Sequence, residues 1–146
     1  MPRLLLFAAC ESVQIDPDGL VSLITIIEKL EVTVPSAFQI PPRTSIPQRW
    51  QSIAIWMMEP SEEGQYEQRE DLVIMEGQNE FVAAHTEPTP MVKTRPESTG
   101  VKVISTQTTV PVIHGLISLR LFYRRIGEQQ WIQAAEYPID VIIVRK

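Results

Sequence analysis

Short runs in which apolar and polar residues alternate follow one another along most of the chain. In residues 116–125, for example, positions 117, 119, 121 and 123 are apolar or aromatic, and a polar or aromatic residue stands between each pair. A period of two places successive side chains on opposite faces of a strand. All six glycines and most of the twelve prolines lie between these runs, where turns require them. The pattern therefore predicts an all-β protein.

The runs predict eight or nine strands of ordinary length, joined by turns, with no convincing helix. They cover residues 3–15, 20–34, 48–58, 65–75, 80–84, 101–110, 116–125, 130–136 and 137–144. The turn at 16–19 would join the first two in a hairpin. Two packed antiparallel sheets bury such strands best. We predict one domain over residues 1–146, an antiparallel two-sheet β-sandwich of seven to nine strands, immunoglobulin-like or C2-like.

Three segments are less regular than the rest. Residues 20–34 hold more apolar residues than strict alternation allows. This predicts that part of the strand is buried on both faces, or that it contains a bulge. A helix is the alternative there, but the β-branched residues at 24–27 favour a strand. The strand at 65–75 begins polar, so we expect its first half at a solvated edge or end. The proline-containing segments 35–47 and 86–100 are predicted to be long loops.

The acidic composition of the chain disfavours some classes of binding partner. The 146 residues include thirteen lysines and arginines against eighteen aspartates and glutamates, giving a net charge of −5. Nucleic-acid-binding domains are usually basic, and attachment to anionic lipid needs basic clusters. No stretch approaches the ~20 apolar residues of a membrane-spanning helix. We expect neither a nucleic acid nor a membrane as partner.

Cys10 is the only cysteine, so no disulfide can form within the chain. Residues 4–9 before it are apolar and faintly resemble a lipoprotein signal, but a secretory signal usually runs to about 15–30 residues. We interpret Cys10 as part of a buried first strand. A single reduced cysteine suits a reducing compartment, so we expect a cytoplasmic protein without a lipid.

Candidate catalytic and metal-binding residues are few. His85 and His114 are the only histidines, and the spacing of a zinc site is missing. Asp16 and Asp18 begin a loop that resembles part of a calcium site, but no acidic residue follows at 20–27. Neither a nucleophile elbow nor a phosphate-binding glycine loop occurs. We expect no cofactor and no enzyme; the alternative is a calcium- or zinc-dependent binding domain or enzyme, with a site assembled from loop carboxylates, His85 and His114.

The last hairpin carries the most suggestive surface. Arg120, Phe122 and Arg124 share one face of a predicted strand, and Trp131 follows the next turn. Arginine and aromatic residues are enriched at protein interfaces. These four residues form our candidate interaction face. We expect a non-enzymatic protein-interaction or structural module, either with an unidentified protein partner or as a homo-oligomer.

The chain resembles a bacterial family of small uncharacterised proteins. The resemblance lies in residues 8–10, the 18–19 turn, residues 22–27 and residues 137–141. Those proteins commonly have glycine where this chain has Thr25. The resemblance implies a one-domain β-sandwich and no known activity, and it transfers no catalytic residue.

Overall fold

The computed structural model describes residues 1–96 and 100–146, and within them the chain is all-β, as predicted. Ten strands and one 3-10 turn (Pro60–Glu62) make up this part of the chain. The strands are β1 (Arg3–Ile15), β2 (Val21–Ile26), β3 (Lys29–Val34), β4 (Ser45–Met57), β5 (Tyr66–Glu76), β6 (Asn79–His85), β7 (Thr89–Pro90), β8 (Val101–Pro111), β9 (Gly115–Arg125) and β10 (Ile132–Arg145).

The strands form two sheets. Sheet A has the order β2-β1-β4-β8, and sheet B has the order β3-β10-β9-β5-β6, with the short β7 paired to β5. Apolar side chains from both sheets share two core clusters; Trp50 and Val110 of sheet A, for example, pack with Leu72 and Ile117 of sheet B. The inner faces of the sheets therefore face each other across a common core.

The predicted strand at 20–34 is in fact two strands in different sheets. The Ile27 amide still donates to the Ala9 carbonyl beside sheet A, whereas the Glu28 carbonyl already accepts from the Asp140 amide of sheet B. β3 then runs parallel to β10, so the prediction of a purely antiparallel fold was wrong for this pair. Because Ile27 is buried at the crossing, the apolar run continues through it without the alternation of a single strand.

Thr25 has a backbone conformation that is rare for its residue type. Its φ is +53°, although a side chain branched at Cβ is strained in the left-handed region. The ladder between β1 and β2 pairs Cys10 with Ile26 and Ser12 with Ile24, so Thr25 lies between two regular pairs. Beyond it, the Val13 amide donates to the Gln51 side chain at 2.8 Å. Val13 pairs with Leu23, so this contact with β4 lies two positions from the left-handed residue.

The first half of β5 is interior, not solvated as its polarity suggested. Tyr66, Gln68 and Glu70 are buried, and β5 lies between β9 and β6 in sheet B. The Gln68 side chain accepts a 2.7 Å hydrogen bond from the indole of Trp56 in the opposite sheet. Polar residues are tolerated inside because hydrogen bonds replace water.

The structure differs from the predicted strand boundaries near the end of the chain. The two strands expected at 130–136 and 137–144 are one strand, β10, with a register shift between Gln133 and Ala135. This irregularity offsets the alternation and made one strand look like two.

The segment 86–100 is also not entirely a loop. β7 pairs with β5, and Met91 beyond it is fully buried; residues 97–99 of this predicted loop lie outside the described residues.

Candidate functional site

The outer face of sheet B brings together the residues of the candidate interaction face. β9 presents Arg120, Phe122 and Arg124 on the side opposite the core, because the residues between them, Leu121 and Tyr123, are buried. Trp131 precedes β10, which pairs with β9. The alternation of β9 was enough to place the first three residues on one face, and the hairpin brings the fourth to them.

A stack of arginine and aromatic side chains covers this face. The Arg69 guanidinium lies over both aromatic rings, with its Cζ 5.2 Å from the centre of Phe122 and 4.7 Å from that of Trp131. Arg124 lies 4.1 Å from the centre of Trp131. Each such contact contributes about 0.5–1 kcal/mol at an exposed site. Arg69 was missed by the sequence analysis, because only the pairing of β5 with β9 sets it opposite Phe122.

Each of these arginines has a carboxylate partner on the same face. Arg120 binds Glu80 through two hydrogen bonds of 2.7 and 2.6 Å. This pair raises the pKa of Arg120 and lowers that of Glu80. Arg124 lies 3.4 Å from Glu67, and Arg69 lies 3.4 Å from Asp71. Positive and negative charges therefore alternate across the face.

A shallow apolar depression of about 230 Å³ adjoins the charged pairs. Its lining includes Val73 and Met75 of β5, Leu116 of β9 and Pro138 of β10. Met75 is 53% exposed and Leu116 is 64% exposed. The hydroxyl of Ser118, which also lines the depression, is buried and has no hydrogen-bond partner. Large exposed apolar side chains grouped in this way are typical of a surface that binds another protein.

A second polar group lies between the sheets and was not found from the sequence. Glu70 is 1% exposed. Its Oε1 accepts a 2.5 Å hydrogen bond from the Ser52 hydroxyl, and Ser105 lies close enough to favour the charged form. Burial nevertheless raises the pKa of Glu70 above its usual range. Its Oε2 has no hydrogen-bond partner of good geometry.

The candidate metal ligands are not brought together. His85 is opposite Asp71, in the register of Arg120, whereas His114 precedes the first residue of β9, Gly115. Arg120 and His114 are six positions apart along the chain, which corresponds to about 20 Å of extended strand. The His114 Nδ1 accepts a hydrogen bond from the Ile143 amide.

Asp16 acts as a turn residue. Its Oδ1 accepts from the backbone amides of Asp18 and Leu20, each at 2.9 Å. Such a bond pattern closes the turn with a local side chain. Across residues 1–96 and 100–146, no group of three histidine, cysteine, aspartate or glutamate side chains has the arrangement to hold a metal ion.

No protein-family model matches the chain, and no curated protein matches it either. Within the described part of the chain, no helix has the length and apolar character to cross a membrane.

Proposed function

We propose that this protein is a non-enzymatic interaction module that self-associates through the outer face of sheet B. The observation that carries the proposal is the position of two exposed apolar side chains, Met75 and Leu116, beside the arginine–aromatic stack on one sheet face. Interface centres combine apolar anchors with arginine and aromatic residues in this way.

The charges of the face favour a second copy of the chain as partner. Each chain carries a net charge of −5, so two copies repel each other over most of their surface. On this face, however, the arginines 69, 120 and 124 each stand next to a carboxylate. Two such faces related by a twofold axis can set the arginines of one against the carboxylates of the other.

The size of the face suits a stable dimer. β5 and β9 are eleven residues long, which corresponds to about 36 Å. Sheet B has five strands in its main path, and at a spacing of about 4.8 Å these span roughly 20–24 Å. The face thus offers roughly 700–850 Å², close to the ~800 Å² that each partner buries in a standard interface.

The test is the mass of the protein in solution, measured by light scattering and sedimentation over a range of concentrations. We expect a dimer, and we expect Leu116→Glu to return it to a monomer because a charge enters the apolar depression. Leu20→Glu is the matched control, since Leu20 is 67% exposed in the turn before β2. That variant should remain dimeric.

Charge reversal tests the second part of the face. The double variant Arg120→Glu, Arg124→Glu should also weaken the dimer. The two new glutamates would face the carboxylates of the second copy and repel them. A Kd of about 1 mM corresponds to a binding free energy of only about −4 kcal/mol. A chain that stays monomeric up to that concentration would rule out self-association. A dimer that withstands both the Leu116 and the arginine changes would show that another surface is used.

We propose further that the chain belongs with the bacterial family that it resembles, that its two sheets form a sandwich of the immunoglobulin-like or C2-like type, and that it acts in the cytoplasm. The φ of +53° at Thr25 supports the first point, since glycine, common there in the family, fits this conformation. The burial of the only cysteine supports the last.

A further inference from the structure

The two sheets leave an open cleft between two strand edges. β8 is the last strand of sheet A, and β6 is the last strand in the main path of sheet B. A cleft of about 370 Å³ lies between residues 104–109 on one side and residues 84–89 on the other. We refer to this space as the edge cleft. It lies at an edge of the fold and is separate from the outer face of sheet B.

One wall of the edge cleft is an unpaired strand edge. Within the described residues, β8 is paired only with β4, so half of its backbone donors and acceptors point away from its own sheet. Residues 104–109 read Ile-Ser-Thr-Gln-Thr-Thr. They contain no proline and no charge, the two devices that most often block a strand edge. Six residues of free edge, about 20 Å long, can pair with an extended peptide of similar length.

The cleft is lined with hydroxyl groups next to a buried carboxyl. Ser105 and Thr86 both line it, and both are neighbours of Glu70. The Glu70 amide donates to the Thr86 hydroxyl at 2.9 Å, and the Ser105 hydroxyl approaches the Glu70 carboxyl. That carboxyl is only 1% exposed, and burial raises its pKa, so the charge of the cleft comes from its lining residues.

The charge of the cleft favours a basic ligand. Its lining includes the carboxylate of Glu87, and the only basic type of side chain among the lining residues is that of His85. A lysine or arginine side chain binds a carboxylate with strong, charge-assisted hydrogen bonds.

We propose that the edge cleft binds an extended, basic peptide segment of about six residues, which adds to sheet A beside β8 and directs a lysine or arginine toward Glu87. Backbone pairing supplies the attachment, and the Glu87 carboxylate supplies the preference for a cation. The hydroxyl-rich lining accommodates the polar side chains that alternate along such a segment.

The experiment is selection from a random twelve-residue peptide library on the full-length protein, followed by binding measurements with the best synthetic peptide. Selected peptides should be rich in lysine, arginine and β-branched residues. Amide hydrogen exchange should show that the peptide protects residues 104–109. Absence of binders, or protection confined to other strands, would overturn the proposal.

Two charge variants make the test specific. Glu87→Lys should weaken binding about fivefold, since reversal of an exposed charge replaces a weak attraction with a weak repulsion. Glu31→Lys is the matched control, because it makes the same change on β3, at the opposite edge of sheet B. Equal effects of the two variants would show only a general response to charge and would contradict the assigned site.

A third variant addresses Glu70 without altering the rim. Glu70→Gln preserves the shape of the side chain and an acceptor for Ser52. Because the Glu70 carboxyl is buried and its pKa is raised, this variant should bind a lysine-containing peptide and its alanine analogue as the parent protein does. Circular dichroism and a thermal melt confirm that the variant is folded. A selective loss of the lysine-containing peptide would show that the cation binds Glu70 and would contradict the assignment to Glu87. The dimer mass is recorded throughout, so that failure of peptide binding is distinguished from failure of self-association.

Discussion

Replacement of Thr25 by glycine should stabilise this protein, which is unusual for a change to glycine in a strand. Thr25 has a φ of +53° and an exposed side chain. The left-handed conformation costs an L-residue about 1–2 kcal/mol, and branching at Cβ places threonine at the upper end of that range. Glycine removes this strain, and because the side chain is exposed, little packing is lost with it.

The opposing effect is the greater freedom of glycine in the unfolded chain, which costs about 0.5–1 kcal/mol. The difference leaves Thr25→Gly more stable by about 1–1.5 kcal/mol. For a domain of this size, that corresponds to a rise in melting temperature of about 3–5 °C. Urea unfolding with linear extrapolation gives the free energy of unfolding, and calorimetry gives the melting temperature.

Thr33→Gly is the matched control. Thr33 is also an exposed threonine in a strand, β3, but its φ is not positive. Only the entropic cost remains there, so this variant should lose about 0.5–1 kcal/mol. Thr25→Val, which keeps the branch and removes the hydroxyl, should not gain stability. If Thr25→Gly loses as much stability as Thr33→Gly, the strain attributed to Thr25 does not exist.

Three further predictions follow from buried groups. Because burial raises the pKa of Glu70, the folded state retains a proton that the unfolded chain has released; stability should therefore fall as pH rises from the unfolded pKa of about 4.3 through the folded value. Glu70→Gln should flatten that part of a plot of unfolding free energy against pH, and an unchanged slope would refute the assignment. Tyr137→Phe should cost about 0.5–1.5 kcal/mol in urea unfolding, since the hydroxyl donates at 2.7 Å to the Ile27 carbonyl; a neutral change would mean that water replaces it. Cys10 is fully buried and its pKa is raised by burial, so iodoacetamide should label it only as the protein unfolds, and rapid labelling of the native protein would contradict its position.

In regular strands, the alternation of apolar and polar residues correctly predicts which side chains are buried. In β9, Ile117, Leu119 and Leu121 are at most 1% exposed, and these are the positions that a period of two assigns to one face. Arg120, Phe122 and Arg124 alternate with these residues and lie together on the other face. A local pattern suffices there because the two faces of a regular strand are fixed by its own backbone geometry.

The tertiary structure alone decided which strands are neighbours, and the site depends on this. Arg69 joins the aromatic residues only because β5 pairs with β9, and Glu70 meets Ser52 only because the two sheets pack together. The passage of the chain from sheet A to sheet B at Ile27 also depends on strand pairing. The sequence did not predict it, because residues 20–34 form one continuous apolar run. The sequence by itself determined the all-β class and the faces of its regular strands, because these follow from local periodicity. Partners across the sheets are set by contacts between residues far apart in the chain, which no local pattern records.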